Sequence, residues 1–372
     1  MNNTKPMIIG IVSVIILLIG IVTYALLTPT QKKDSITIGV IFPQTGPIAE
    51  VGGFLFNGVD LALQEINAHG GVRGAPLNIL IEDDQCVPKN TVTALHKLIE
   101  VDALQFIIGP FCSGSMLAAA PIAEENRVIL FSPGASSPEV TDAGDYIFRT
   151  TPSDIHQAQY FSTTLAEKFE NVAIIHVENK WATDMTHAFT QSFPNTIVTI
   201  QSFENDVTDV RTQLLKIKEQ KPDALLIFVY PNHYPFITQQ LVTLGIDVPL
   251  FATHTFETSV AFQLGENAQR YTYTNLDYPE ENSDIAAFKN KFFTKYDEEP
   301  SIWVALAYDT TLILGEALNA CGEDSDCVKD YLYAVQGYTG VSGVKSFNEN
   351  GDITDPYYVL KTVSDGKFVR IQ

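Results

Sequence analysis

From Ile36 onward the chain alternates short β-branched runs with segments whose apolar residues recur at helical spacing, and no other feature restricts its fold as strongly. Ile36–Phe42 reads as a strand, and Leu55, Val59, Ala62, Leu63 and Ile66 then mark a helix face. Leu77–Glu82 is a strand, Val92, Leu95, Leu98 and Ile99 a helix, and Leu104–Ile108 and Val128–Phe131 further strands. Strands separated by helices must cross over and run parallel, which predicts a sheet covered on both faces. The cycle restarts after Arg149-Thr-Thr-Pro-Ser-Asp154: a helical stretch to Lys168, strand Val172–Val177, helix Thr183–Phe193, strand Thr196–Phe203, helix Val210–Glu219, strand Ala224–Val229. A second doubly wound unit is expected. Asp284–Tyr296, Trp303–Ala320 and Asp326–Val335 read as helices that return to cover the first sheet, and Tyr357–Val363 with Lys367–Ile371 as a terminal hairpin about Asp365-Gly366. Two such α/β units place a ligand between them, at the carboxyl ends of their strands.

A chain of 372 residues is long enough for two such units, each with its own core. Its formal net charge of −21 disfavours nucleic acid as a partner, because phosphate backbones are held by clustered Lys and Arg. Before the first strand, Met7–Leu27 runs without a charge between Lys5 and Lys32-Lys33. At ~1.5 Å per residue it can span the ~30 Å hydrocarbon core of a bilayer. It exceeds the ~7–15 apolar residues of a cleaved signal peptide, and no convincing cleavage site follows. An uncleaved transmembrane anchor is therefore expected within residues 1–34, with a signal segment as the alternative. The first cysteine is Cys86, which excludes a lipid-modified cysteine near the amino terminus.

Cysteines stand at 86, 112, 321 and 327, without zinc-like spacing. Cys86 and Cys112 each follow a strand and so share one edge of the sheet, where a bridge would restrain the unfolded chain by roughly 3 kcal/mol. Cys321 and Cys327 flank Gly-Glu-Asp-Ser-Asp, where a short staple is a second expectation; four unrelated buried thiols is the alternative. Paired cysteines point to an oxidising, extracytoplasmic compartment. GPFCSGSM, Gly109–Met116, joins a buried strand to a helix with small hydroxyl residues, which suits either an anion site or an ordinary helix cap. Catalytic motifs are missing: no nucleophile elbow, zinc-protease helix, phosphate loop or dinucleotide fingerprint occurs. His176, His187, His233 and His254 are scattered, and Asp83-Asp84 reads as solvated loop charge. The expectation is a binding protein, neither an enzyme nor a carrier of a cofactor or metal.

The stretches IGVIFPQTGPIAEVGGFLFNGVDLALQEINAHGGVRGAPLNILIEDDQCVPKNTV, IIGPFCSGS, LFSPGASSPEVT, IFRTTPSD and GVSGVKSFNENGD, in that order and spacing, resemble type I periplasmic solute-binding proteins of ABC importers, in the leucine/isoleucine/valine class. The similarity runs from Ile36 to Gln372. It implies two doubly wound parallel-sheet lobes joined by three crossover strands near Pro152, Tyr278 and Gly340. Residues 35–152 plus 279–339 would form the first lobe, and 153–278 plus 340–372 the second.

The resemblance also implies a site. Ser113 would donate to a ligand carboxylate, Gly134 would present a carbonyl to an ammonium, and Ser136 a hydroxyl to the carboxylate. Trp181 and Tyr230 would cover the ligand from the second lobe, and Tyr308 would either join them or anchor its helix. Where relatives place an ammonium-binding glutamate, Thr255 stands, with Glu257 two residues on. Val51 replaces an aromatic residue, which implies a roomier or differently shaped pocket. The function implied is capture of a small amino acid or amide by a monomer, and its delivery to an ABC permease. A ligand-binding sensory module working with a separate signalling partner is the alternative.

Overall fold

The computed structural model describes residues 35–354 and 356–371. The apolar run Met7–Leu27 lies outside them; among the described residues no helix is long and apolar enough to cross a membrane.

β1 (Ile36–Phe42) is buried along its whole length except at Thr37, the one polar residue in an otherwise apolar run. α1 (Ala49–Ala68), β2 (Leu77–Asp83), α2 (Pro88–His96), β3 (Phe106–Ile108), α3 (Ser113–Asn126), β4 (Ile129–Ser132) and β5 (Ile147–Arg149) follow. The five strands lie in the order β2-β1-β3-β4-β5, and every neighbouring pair is parallel.

The second unit begins with α4 (Asp154–Ala166), β6 (Asn171–Val177), α5 (Lys180–Ser192), β7 (Thr196–Phe203), α6 (Arg211–Glu219) and β8 (Ala224–Phe228). It continues through α7 (Tyr234–Thr243), β9 (Leu250–Ala252), α8 (Ser259–Gln263) and β10 (Tyr271–Leu276). Next come α9 (Ser283–Tyr296), α10 (Ile302–Cys321), α11 (Ser325–Tyr333), the ribbon β11 (Tyr338–Gly340) and β12 (Gly343–Lys345), and the hairpin β13 (Tyr358–Ser364) and β14 (Lys367–Arg370). The second sheet has the order β14-β13-β10-β9-β8-β6-β7. Its strands from β7 to β10 are parallel, while β13 runs antiparallel to β10 and to β14.

α9, α10 and α11 pack on the first sheet through Phe288, Phe292, Val304, Leu314, Val328 and Leu332. The approach of α10 to α1 requires Gly58, where a Cβ would meet the Val304 carbonyl oxygen at 2.3 Å. Phe347 and Ile353 are buried in the same core, although the sequence division assigns everything after 339 to the other unit.

Five strands and two helices escape the pattern reading. β5, β9, β11 and β12 are three-residue strands, too short to show a period, and β10 interleaves tyrosine with Thr and Asn. Of the unread helices, α7 opens on Tyr-Pro and α8 is five residues long.

In the first sheet the strand order reverses between β1 and β3, and in the second between β6 and β8. The carboxyl ends at these two reversals are where open α/β sheets leave a crevice.

Candidate functional site

A cavity lies between the two sheets, and its walls come from the turns that leave those strands. The first-sheet side contributes Phe111, Cys112 and Ser113 after β3, and Gly134 and Ser136 after β4. Ile48 and Val51 add an apolar edge, and Trp303 enters from α10. Trp181, Tyr230, Pro231, His254, Thr255 and Thr258 form the opposite side, from the turns after β6, β8 and β9. About 480 Å³ between these walls, part of it open to solvent, is free of protein atoms.

Of the residues proposed from sequence, Ser113, Gly134, Ser136, Trp181 and Tyr230 meet in this cavity. Both disulfides, Cys86–Cys112 and Cys321–Cys327, are formed. The first ties the turn after β2 to Cys112, the residue that caps α3. Ser113, the first residue of α3, accepts the Ser137 backbone N–H at 3.1 Å through Oγ. One of its two lone pairs is thus engaged, and its hydroxyl proton can turn toward the cavity beside the unpaired N–H groups of a helix start. Such a group donates to a carboxylate without bringing a second charge into the cavity.

The loop carrying Gly134 and Ser136 is fixed from behind. Ser132 Oγ accepts the N–H groups of Gly134 and Ala135, and the fully buried Arg149 donates to the carbonyls of Ala135 at 3.1 Å and Ser137 at 2.8 Å. Arg149 also clasps Asp352 with two hydrogen bonds, of 2.5 and 2.8 Å. At position 134 only glycine fits, because a Cβ would lie 2.1 Å from the Phe111 ring.

On the opposite wall Trp181 stacks on Tyr230, with ring centres 5.7 Å apart and planes 11° from parallel. His254 packs against Trp181 at 5.4 Å and against Trp303 at 5.1 Å, while Trp303 meets Phe111 edge-on. The Tyr230 hydroxyl lies 3.4 Å from Cys86 Sγ, and burial with the nearby Asp84 charge pushes its pKa up. Burial holds the His254 imidazole down at about 3, so the ring is neutral.

Two proposed residues lie elsewhere. Glu257 is paired with Lys361 at 3.1 Å and accepts hydrogen bonds from the Tyr273 hydroxyl and the Asn275 amide, each 2.9 Å. Its carboxylate is held beneath the loop by β10 and β13 rather than in the cavity. Tyr308 donates to Glu65 at 2.9 Å and packs on Phe288, which makes it the anchor of α10. Nor is Thr255 free, since its hydroxyl donates to the Val229 carbonyl at 2.7 Å. Asp84 corrects the reading of a solvated pair: it is fully buried and accepts from the Cys86 N–H and the Thr91 hydroxyl.

Sequence reasoning missed Phe111, Trp303 and His254, whose patterns read as core or turn. It also missed Asp154. This side chain is buried, and among the described residues neither carboxylate oxygen forms a hydrogen bond, yet the Ser136 hydroxyl and the Trp181 indole N–H lie close enough to act on it. Burial raises its pKa to about 7, against the pull of Ser136 and Arg149. Its only sequence signal was an acid in the first turn of α4.

Across the mouth of the cavity the two halves are joined at separate points. Glu50 of α1 accepts the N–H and the hydroxyl of Ser259, both at 2.7 Å. Farther round, Ser137 donates to Asp184, and Lys180 reaches Glu139 at 2.5 Å. The halves are therefore in contact around a covered cavity.

The family model for periplasmic binding proteins matches residues 35–367. Among characterised sequences, a leucine-, isoleucine-, valine-, threonine- and alanine-binding protein of Pseudomonas aeruginosa is 26% identical over 337 residues, 87% of this chain and 88% of that protein. A Leu/Ile/Val-binding protein of Escherichia coli K12 is 27% identical over 351 residues, 91% and 93% of the two chains. Among solved structures, a branched-chain amino acid transporter substrate binding protein from Streptococcus pneumoniae, in complex with isoleucine, superposes with a TM-score of 0.83 at 27% identity. That match covers 91% of this chain and 100% of the other.

Proposed function

The chain belongs to the periplasmic binding protein family, type I, leucine/isoleucine/valine class, and from that premise we propose that it captures a small amino-acid-like solute outside the cytoplasm and delivers it to an ABC permease. The observation that carries this reading is the covered cavity at the two strand-order reversals, with a proton-donating Ser113 on one wall and stacked Trp181 and Tyr230 on the other. The carboxylate sits against Ser113 and Ser136, the Gly134 carbonyl takes part in holding the ammonium, and the aromatic wall excludes water when the halves close. The protein acts by binding, as a monomer, and performs no chemistry on the solute.

Two lobes hinge about the cavity. The first consists of 35–152 plus 279–339, together with the segment through Ile353 that shares its core; the second consists of 153–278 and the terminal hairpin. Met7–Leu27 tethers both to the outer face of the membrane. A solute that contacts both lobes favours the closed form by its differential contacts, and a permease can read that form.

Calorimetric titration of the purified chain with the common amino acids and small amides tests the proposal. At least one is expected to bind, and Ser113→Ala combined with Ser136→Ala should weaken it at least about tenfold. Absence of binding by every compound, or an unchanged affinity in the double variant, sinks it.

A further inference from the structure

Among the described residues that line the second-sheet wall none is anionic, and the buried carboxyl of Asp154 lies behind Ser136 and Trp181 without lining the cavity. Glu257 is held by Lys361, Tyr273 and Asn275, and the Thr255 hydroxyl is engaged with Val229. Trp181 offers an indole N–H, which only donates. Thr258 Oγ1 is buried and unpartnered among the described residues, but a hydroxyl donates as readily as it accepts and so selects for neither. His254 remains, and its neighbours decide which nitrogen carries the proton.

The chain of hydrogen bonds begins at a carbonyl. Gln157, buried on α4, places Nε2 3.1 Å from the Thr274 backbone oxygen and 2.9 Å from the Thr274 hydroxyl. A carbonyl oxygen only accepts, so the amide NH₂ must point there and Gln157 Oε1 must face the other way. That Oε1 lies 3.1 Å from His254 Nδ1, which is therefore the protonated nitrogen. In a neutral imidazole the remaining nitrogen is a bare acceptor. Nε2 carries no hydrogen bond among the described residues, and the ring lines the cavity between Trp181 and Trp303.

We propose that His254 Nε2, fixed as an acceptor by Gln157, receives the ammonium of a bound α-amino acid and makes the site selective for a solute that carries an N–H donor. The inference rests on the amino-acid reading above and specifies which group of the second wall recognises the amine. Burial supports it, because an imidazolium would repel an ammonium and this ring stays neutral down to about pH 3. A neutral acceptor held between two indole rings thus stands in for the absent carboxylate, while Gln157 acts as a positioning residue.

The test uses the full chain in detergent with leucine, isoleucine and valine, each paired with the acid of the same carbon skeleton lacking the amine. The wild type is expected to prefer the amino acid by about tenfold or more. In His254→Phe the preference should fall to about one, through loss of amino-acid affinity and not through gain of acid affinity. Nitrogen-15 NMR of the unliganded chain should show Nδ1–H and a bare Nε2, whose resonance moves when the amino acid binds. An Nε2-protonated ring overturns the proposal whether or not the variant folds. Binding that His254→Phe leaves equally selective overturns the His254 assignment alone. If no compound binds the wild type, the amino-acid reading fails and the assignment fails with it.

Discussion

The two walls of the cavity are built on different principles. The first-sheet wall presents hydrogen-bonding groups held by backbone: Ser113 at a helix start beside a disulfide, and Gly134 and Ser136 on a loop clamped by Ser132 and Arg149. The opposite wall presents rings, with Trp181 on Tyr230 and His254 against Trp181, positioned by packing and by side-chain chains such as Gln157 to His254. A backbone-held donor set recognises a group that every amino acid shares. Trp181 and Tyr230 meet what differs between them and close off the water, while His254 on the same wall is the one ring assigned to a shared group, the ammonium.

The sharpest way to break this division is to remove the clamp. Arg149→Met leaves Asp352 buried without its partner and frees the loop behind Ser136, so unfolding in denaturant should show a loss of about 3–5 kcal/mol. Next, Trp181→Ala removes the largest ring of the second wall. A loss of about 2 kcal/mol or more in binding free energy is expected by titration, with the fold retained. Ser113→Ala should lose about 1.5–3 kcal/mol of binding because its partner is a charged carboxylate, and that loss should be the same for every solute that binds. Equal losses on the two walls for every solute would erase the distinction between shared and selective recognition.

Asp154, beneath both walls, gives a pH signature. Its carboxyl rises from 3.8 to about 7 in the folded protein, so between these values the folded state binds more protons than the unfolded one. Its contribution to stability is fully present below about pH 4 and is lost as pH rises through about 7. Asp154→Asn should therefore stabilise the unliganded chain at pH 8 more than at pH 5, measured as the shift in Tm. Equal shifts at both pH values would show that the carboxyl is not raised. The smallest effect belongs to Glu257→Gln: bound to Lys361 away from the cavity, it should change solute affinity by less than about twofold, within the range of a substitution outside the contact set.

Much of the fold was legible because parallel strands buried on both faces must be near-continuous apolar runs: β8 is one throughout, and β1 and β6 are broken only by Thr37 and His176. β5 and β9 were not, because three buried residues carry no period. Within the site, Ser113 and the serine-rich loop could be read because they follow directly from strand ends and match a family order. Glu257 and Tyr308 could not be placed. A carboxylate two residues from the expected position and a tyrosine on a buried helix leave open which way each side chain turns, and the partners Lys361 and Glu65 lie far away in the chain.

GPFCSGSM shows the division in one stretch. By itself the sequence determined a strand-to-helix turn with a cysteine, a hydroxyl and free helix N–H groups, because those are local properties of spacing and residue type. The tertiary structure alone decided that the Ser137 N–H engages a lone pair of the Ser113 hydroxyl, whose proton can then turn to a ligand. In the same way it decided that Gln157 sets the His254 tautomer. Hydrogen-bond polarity in a buried site depends on which partners the fold brings within about 3 Å, and those partners are chosen by packing, not by neighbours in the chain.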